Sequence, residues 1–230
     1  MILNQMQTIG LIGGTGDLGT ALAIHLSRRY DKVLIGSRNL EKAKSTVKEI
    51  IAQKGNADYL KERLVPSTNE AVVQAAGIVI LTVPYESALQ SVRELAAHFK
   101  GEGQLLVNAA AAVKKTDSGE FSAPIGEKSL TVQIREILPQ SVKLAAAFQT
   151  IPANVLYKEK SQVTADVLVA SETPEIFQTL SEMISSIPGL RPLHLGSLEL
   201  SRDAESLTSI LLNIAIRNKL KSPTFKVISF

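Results

Sequence analysis

The sequence predicts an α/β protein with a doubly wound, mostly parallel sheet and a small C-terminal domain. Short runs of β-branched residues alternate with longer helical patterns over residues 1–150, as in a parallel sheet with crossover helices. Residues 78–83 are apolar on both faces, which is typical of a central parallel strand. A glycine-rich turn at residues 13–19 directly follows the first apolar run. The length of 230 residues exceeds one average domain of roughly 150 residues and falls short of two.

The elements alternate in the order that this fold requires. Residues 8–12 predict a strand, helical spacing follows to Tyr30, and residues 33–35 predict the second strand of a β-α-β unit. Ser201 is expected to be the N-cap of the final helix. Further helices are predicted at residues 40–53, 68–76, 87–99 and 130–138 and after Thr173, further strands at residues 105–107, 143–148 and 167–170, and a polar loop at residues 114–128. The regular alternation ends near residue 150, which we take as the boundary between the main and C-terminal domains.

The composition argues against several classes of function. The chain has no cysteine, so disulfides, iron–sulfur clusters and thiol nucleophiles are excluded, and a reducing compartment is favoured. With 25 Lys and Arg against 22 Asp and Glu, 4% aromatic residues and no tryptophan, a nucleic-acid-binding surface is not expected. No stretch approaches the ~18 apolar residues of a membrane span, and the first residues lack a signal-peptide pattern. We therefore expect a cytoplasmic protein that binds neither nucleic acid nor membranes.

The turn after the first strand has the spacing of a dinucleotide-binding loop. Gly14, Gly16 and Gly19 form a G-x-G-x-x-G pattern inside the β-α-β unit. In such a loop the glycines allow, in order, a tight turn, the approach of a pyrophosphate and close packing of the helix. The free amides of the helix N-terminus then bind the phosphates. Residues 1–150 are therefore predicted to be a Rossmann-type domain, in which Asp17, a poor neighbour for phosphate, is expected to cap the helix.

The end of the second strand favours NADP over NAD. An NAD enzyme carries an acidic residue there, about 20 residues after the glycines, whereas this chain has Ser37, Arg38 and Lys42. A hydroxyl, a guanidinium and an ammonium group together suit a 2′-phosphate. The predicted cofactor is therefore NADP(H).

Three later turns are expected to line a reaction cleft. Ligands of an open α/β sheet bind at the carboxyl ends of the strands, where this chain has residues 82–84, 108–113 and 148–153. Most of these residues are small and apolar, and none is an obvious acid or base. The three histidines are scattered among helices and a late strand, which argues against a metal site and a catalytic triad. We therefore predict no catalytic side chain and no bound metal.

These motifs resemble those of the NADPH-dependent reductases of the 5-deazaflavin coenzyme F420. The resemblance rests on the glycine loop, Ser37-Arg38 and the turns at residues 82–84 and 150–153. Further similar positions follow toward the C-terminus, so the resemblance spans nearly the whole chain. They are residues 189–193, Leu198, Ser201-Arg202, residues 205–208 and residues 211–214. It implies an oxidoreductase that transfers a hydride reversibly and directly between NADP(H) and the deazaflavin. It also implies a homodimer built partly through the last helix, with residues 151–230 completing the substrate cleft.

The resemblance also implies a set of binding residues. They are Gly14, Thr15, Gly16, Asp17, Leu18 and Gly19 for the pyrophosphate loop, Ser37, Arg38 and Lys42 for the 2′-phosphate, Val83, Ala111 and Ala153 for the nicotinamide half, and Ile151 and Leu207 for the deazaflavin.

The chain departs from the family pattern at positions expected to face the cleft. The family commonly has a Ser-Pro-Leu-Val-Pro-Val segment where this chain has residues 108–113, and a histidine at Gln149. Two alternatives therefore stay open. One is a related NADPH-dependent reductase of an imine, a keto acid or a flavin-like acceptor, and the other is a non-catalytic NADP-sensing protein.

Overall fold

The computed structural model describes residues 8–55, 57–124, 126, 128–157 and 164–229. Its strands are β1 (Thr8–Ile12), β2 (Lys32–Ser37), β3 (Leu64–Thr68), β4 (Ile78–Leu81), β5 (Leu105–Asn108), β6 (Lys114–Lys115), β7 (Phe121–Ser122), β8 (Lys143–Ala146), β9 (Ala165–Ser171) and β10 (Leu190–Gly196). Its α-helices are α1 (Asp17–Leu26), α2 (Leu40–Gln53), α3 (Asp58–Arg63), α4 (Asn69–Ala75), α5 (Tyr85–Leu95), α6 (Leu130–Ile137), α7 (Ala153–Leu156), α8 (Pro174–Ser185) and α9 (Ser201–Arg217).

Eight of the strands form one sheet in the order β10-β9-β8-β5-β4-β1-β2-β3. Neighbouring strands are parallel except β8 and β9, which run antiparallel. The strand order reverses between β1 and β4, and in such sheets a ligand crevice opens beside the reversal at the carboxyl ends of the strands. The predicted Rossmann-type, doubly wound and mostly parallel α/β fold is confirmed.

Helices cover both faces of this sheet and bury two apolar layers. One layer lies beneath α1, α2 and α8 and includes Leu22, and the other lies beneath α4, α5 and α6 and includes Val92. Strand residues alternate between them, since Leu11 of β1 belongs to the first layer and Ile12 to the second. Burial of both faces explains why β4 is continuously apolar and fully buried.

Several short elements differ from the sequence prediction, and strand β3 and the β6–β7 pair are two cases. Strand β3 is not predicted because Pro66 interrupts its apolar pattern. It pairs with β2 at the edge of the sheet. An edge strand has a neighbour on one side only, so it tolerates a proline, which has no N–H to donate. The polar loop predicted at residues 114–128, of which residues 125 and 127 lie outside the described part, contains the antiparallel pair β6–β7. Tertiary pairing stabilises both elements, and local sequence pattern alone does not reveal them.

The C-terminal region adds β9 and β10 to the same sheet. Arg135 in the last turn of α6 supports the antiparallel junction, because its guanidinium donates to the carbonyls of residues 138, 139 and 142 and to the Glu172 carboxylate. The other oxygen of Glu172 accepts the N–H of Leu144 in β8 at 2.9 Å. The domain boundary at residue 150 stays a prediction. Strand β9, on the C-terminal side of this boundary, pairs directly with β8 on the other side.

The last helix begins differently from the prediction. Ser201 is the first residue of α9 and not its N-cap, because its buried hydroxyl forms a hydrogen bond with the Ser129 hydroxyl at 2.8 Å. Farther along, α9 leaves large apolar side chains exposed, among them Ile210, Ile214 and Ile216. Among the described helices, none combines the length and the apolar character needed to cross a bilayer.

Candidate functional site

A cleft of about 400 Å³ opens at the carboxyl ends of β1, β2 and β4, beside the reversal in strand order. Its volume lies within the ~300–1,000 Å³ that small-molecule sites occupy. The residues that line it are Gly13, Thr15, Gly16, Ser37, Arg38, Asn39, Lys42, Asn69, Thr82, Val83, Pro84, Ser87 and Ser91. The fold thus brings six of the predicted binding residues into one cleft, namely Thr15, Gly16, Ser37, Arg38, Lys42 and Val83.

The glycine turn is built by backbone contacts. Gly13 has a φ of +69°, in the left-handed region that favours glycine. The left-handed residue of the turn is therefore Gly13, one position before Gly14, to which the motif assigns the tight turn. The N–H of Gly14 donates to the carbonyl of Gly36 at 2.9 Å, which joins the turn to the end of β2. A Cβ atom at Gly19 would lie 2.6 Å from the Cα of Gly14. Gly14 and Gly19 are therefore required by the packing of the protein itself.

Gly16 is different from its neighbours. Its φ of −81° and ψ of 170° are open to any residue, and the nearest atom to a Cβ there would be the Gly13 carbonyl oxygen at 3.5 Å. Neither backbone strain nor packing accounts for a glycine at this exposed position in the cleft. The space above Gly16 therefore fits a group that must come close to the backbone, as a pyrophosphate does.

The start of α1 corrects one expectation. Gly16 occupies the N-cap position and no side chain caps the helix, so the prediction that Asp17 is the cap is wrong. Asp17 is the first helical residue, and its exposed side chain is not among those lining the cleft. Leu18 is partly buried against the core and does not line the cleft. The unpaired amides of a helix N-terminus nevertheless lie next to Thr15 and Gly16.

The second strand supplies the basic end of the cleft. The Ser37 hydroxyl accepts the N–H of Asn39 at 3.1 Å, and Asn39 in turn caps α2 by accepting the N–H groups of Glu41 and Lys42. The side chains of Arg38 and Lys42 are exposed, and neither forms an ion pair or hydrogen bond with another described residue. The two cations are therefore available to an anionic ligand in the cleft.

Asn69 is a cleft residue that the sequence prediction does not include. Its buried side-chain oxygen accepts the N–H of Gly13 at 3.2 Å, so it supports the glycine turn from the start of α4. The only sequence signal is an asparagine directly after Thr68, the N-cap of α4. This signal is hard to use when the preceding strand β3 is itself not predicted.

A second, smaller cavity of about 130 Å³ lies where the chain leaves β8. Its walls are the residues Gln149, Thr150, Ile151, Pro152, Thr208, Leu211, Leu212 and Pro223. Of the two residues predicted for the deazaflavin, Ile151 lines this cavity and Leu207 adjoins the wall residue Thr208. Ala111 and Ala153 line neither cavity, so the structure does not gather them with the other predicted residues.

The wall at Pro223 belongs to a C-terminal tail, residues 218–229, that folds back over β9. The buried Asp166 carboxylate accepts two hydrogen bonds from the Arg191 guanidinium, each 2.7 Å, and one from the N–H of Val227. Arg191 holds the pKa of the Asp166 carboxyl below its usual value. Sequence pattern offers no sign of this arrangement, because the tail has no regular secondary structure.

Comparison with known proteins identifies the family. The family described as "NADP oxidoreductase coenzyme F420-dependent" matches residues 8–112. The F420-dependent NADP reductase of Methanothermobacter thermautotrophicus is 30% identical over 236 residues, covering 99% of this chain and 97% of that protein. The chain belongs to the F420-dependent NADP reductase family. The F420-dependent NADP reductase of Methanothermobacter marburgensis is also 30% identical, over 95% of this chain and 97% of that protein.

The family's fold is also seen in a solved structure. A crystal structure of a protein from Arthrobacter sp. FB24 has a TM-score of 0.78 to this chain at 17% identity, covering 97% of this chain and 100% of that one. At this identity the comparison supports the fold alone. Membership of the F420-dependent NADP reductase family, and with it the class of NADP-dependent oxidoreductases, rests on the full-length sequence relatives.

We expect Gly16→Val to abolish NADPH binding without unfolding the protein. The backbone angles at Gly16 accept valine, while its methyl groups would occupy the space above the turn. The Kd for NADPH, measured by fluorescence titration, should rise at least about a hundredfold, or ~2.7 kcal/mol. Gly19→Ala is the contrasting variant in the same turn and should lower the free energy of unfolding by about 1–3 kcal/mol, because its Cβ meets backbone. Normal NADPH binding by a folded Gly16→Val protein would mean that the glycine turn is only structural.

Proposed function

We propose that the protein transfers a hydride reversibly between NADP(H) and coenzyme F420, ring to ring, and that its own side chains bind and orient the two molecules. The observation that carries this proposal is the full-length relationship to F420-dependent NADP reductases. The cleft supports it independently, since it contains Gly16, which neither packing nor backbone strain explains, together with two cations that pair with no other described residue.

The proposed NADP site runs along this cleft. The pyrophosphate would lie above Gly16 at the N-terminus of α1, where amides and the helix dipole favour an anion. The 2′-phosphate would lie between Arg38 and Lys42. The Ser37 hydroxyl accepts a hydrogen bond from Asn39 and so keeps its own hydrogen for a phosphate oxygen. The nicotinamide half would then extend past Val83 toward Ala111 and Ala153.

The proposed deazaflavin site begins at the second cavity. At about 130 Å³ this cavity is smaller than the ~300 Å³ of a typical ligand pocket, so it would hold one edge of the ring system. Ile151 would contact the ring from the end of β8, and Leu207 from α9. The walls are largely apolar, which suits a planar ring that must be shielded from water.

The protein's contribution to the reaction would be positioning. NADP(H) and the deazaflavin supply the hydride chemistry when bound. The residues that line the two cavities include Arg38 and Lys42 but no Asp, Glu, His or Tyr. Direct transfer needs no proton donor at the reacting carbons, and effective molarities of ~10⁵–10⁸ M show how much orientation alone can supply. The apolar walls would also keep water from the donor ring.

We propose further that two copies of the chain associate through α9. The exposed fractions of Ile210, Ile214 and Ile216 are 52%, 44% and 56%, which is a costly surface to leave in water. Ile210 and Ile214 lie one turn apart on the same face of α9. Burial of this pair against a second copy would explain their exposure, as the family resemblance implies.

Arg38→Ala should raise the KM for NADPH by roughly 10- to 150-fold while the KM for NADH changes little. The reason is the loss of one charge-assisted contact to the 2′-phosphate, worth ~1.5–3 kcal/mol. Steady-state kinetics with both nucleotides measure the two effects. Lys44→Ala is the control, since Lys44 is an exposed lysine of α2 that pairs with Glu41 outside the cleft. Equal loss with NADPH and NADH would remove Arg38 from the 2′-phosphate site.

Direct transfer predicts where a label goes. When stereospecifically deuterated NADPH reduces the deazaflavin in a single turnover, the deuterium should appear on the reduced deazaflavin ring, detected by mass spectrometry. The visible absorbance of the deazaflavin reports the turnover itself. Deuterium found only in solvent would contradict direct transfer. Reduction of imines or keto acids without reduction of the deazaflavin would favour the related reductases.

The α9 contact can be tested by the oligomeric state. We expect the wild-type protein to sediment as a dimer and the double variant Ile210→Ser, Ile214→Ser to sediment as a monomer at the same concentration. Losing ~1.5–3 kcal/mol per buried isoleucine should weaken association at least about a hundredfold. Leu40→Ser, which changes an exposed leucine on α2, is the control and should remain dimeric. A monomeric wild-type protein would contradict the proposed dimer.

A further inference from the structure

Glu205 of α9 is a fully buried carboxylate, with 0% of its surface exposed. It accepts the N–H of Leu130 at 2.9 Å, the N–H of Thr131 at 3.0 Å and the Thr131 hydroxyl at 2.7 Å. These donors form the first turn of α6, so Glu205 satisfies amides that a helix N-terminus leaves unpaired and faces the positive end of its dipole. The carboxylate thereby joins two helices that lie far apart in the chain.

Glu205 begins a closed circuit of side-chain hydrogen bonds. The Thr131 hydroxyl accepts the side-chain amide of Asn108, at the end of β5, at 2.9 Å. The backbone carbonyl of Asn108 accepts a hydrogen bond from the side-chain amide of Gln149, just past β8, also at 2.9 Å. The backbone carbonyl of Gln149 accepts a hydrogen bond from the hydroxyl of Thr208 at 2.9 Å, and Thr208 lies one turn after Glu205 on α9. The circuit therefore runs from α9 through α6, β5 and β8 and returns to α9.

A carboxylate at this position is costly for the fold. Burial raises the pKa of the Glu205 carboxyl, and the hydrogen bonds from Thr131 and Leu130 offset only part of that effect. Within the described residues, no Lys, Arg or His forms an ion pair with it. An apolar side chain would avoid the desolvation cost. Glu205 therefore costs stability and yet makes three specific contacts with the first turn of α6. This combination points to a need for exact placement of α6 relative to α9.

The circuit holds the parts of the molecule that surround the proposed ring site. The side-chain oxygen of Asn108 accepts the N–H of Ala110 at 3.1 Å, which supports the turn that contains Ala111. Gln149 and Thr208 are walls of the second cavity. Movement of Glu205 would therefore shift α9 relative to the ends of β5 and β8, and so shift one proposed ring site relative to the other.

We propose that Glu205 is a positioning residue for hydride transfer, and this inference rests on the proposed function. Through Thr131, Asn108, Gln149 and Thr208 it sets the distance between the α9 wall of the second cavity and the turns at the sheet edge. Ring-to-ring transfer is sensitive to that distance, since a displacement of ~1 Å can cost on the order of a hundredfold in rate.

Glutamine cannot replace Glu205 in this circuit. One carboxylate oxygen faces the N–H of Leu130, and the other faces both donors of Thr131. In either orientation of a glutamine amide, its NH₂ group would point at a backbone N–H. Glu205→Gln therefore keeps the size of the side chain and opposes at least one contact.

The test compares Glu205→Gln with Asn213→Ala. Asn213 also anchors α9, because its side chain accepts the N–H of Phe121 at 2.8 Å and donates to its carbonyl at 2.7 Å, but it lies outside the circuit. The measurements are the Kd for NADPH, the kcat and KM for deazaflavin reduction, and the urea midpoint. For Glu205→Gln we expect a fall in kcat of about tenfold or more, with the Kd for NADPH unchanged within about twofold. Asn213→Ala should keep its kcat within about twofold even where its urea midpoint falls.

A second pair of variants covers the case in which Glu205→Gln does not fold. Thr131→Val removes the hydroxyl that links Glu205 to Asn108, and Thr131→Ser retains it. Loss of kcat in the valine variant with recovery in the serine variant would support the positioning role. Equal kcat in the wild type and Glu205→Gln, or equal loss in Glu205→Gln and Asn213→Ala, would overturn it while the proposed function stands. If the wild type does not reduce the deazaflavin at all, the proposed function fails and this inference fails with it.

Discussion

The close contact between Gly14 and Gly19 is the constraint on which the cofactor cleft depends. Because a Cβ at Gly19 would lie 2.6 Å from the Cα of Gly14, the first turn of α1 packs directly on the backbone that leaves β1. Gly14 also donates its N–H to the carbonyl of Gly36 and so keeps the end of β2 beside the turn. The helix N-terminus and the basic residues after β2 therefore share one backbone framework. The proposed positions of the central pyrophosphate and of the 2′-phosphate are therefore set relative to each other by this framework.

The other half of the site is held together by side chains. The circuit through Glu205 joins α9 to the ends of β5 and β8, and the Asp166–Arg191 pair holds the tail that contributes Pro223. Backbone packing such as that of Gly14 and Gly19 is rigid and buries no charged group. Buried polar contacts carry a desolvation cost and depend on every partner being present. The first half of the site is therefore held by backbone packing, and the second half by side-chain contacts.

Prediction from the sequence succeeds where local interactions decide the outcome. Strand β1 and helix α2 have the predicted bounds, because apolar spacing marks both and Asn39 caps the helix. It fails where pairing with distant residues decides. Strand β3 contains Pro66 and is stable at the edge of the sheet beside β2. Asp17 and Ser201 have side chains that can cap a helix. However, Asp17 follows the N-cap residue of α1, and the Ser201 hydroxyl forms a hydrogen bond with the Ser129 hydroxyl.

The sequence by itself determined the α/β class, the glycine spacing, the basic residues that favour NADP and the family resemblance. All of these depend on residue types at short separations along the chain. Only the tertiary structure revealed which glycine has open space above it, because the nearest atoms to a Cβ at Gly16 are the carbonyl oxygens of Gly13 and Thr82. Only the tertiary structure revealed that Glu205 reaches α6 and that Pro223 completes a cavity with the end of β8. Those contacts join residues that lie 74 or 75 positions apart, a separation at which local periodicity carries no information.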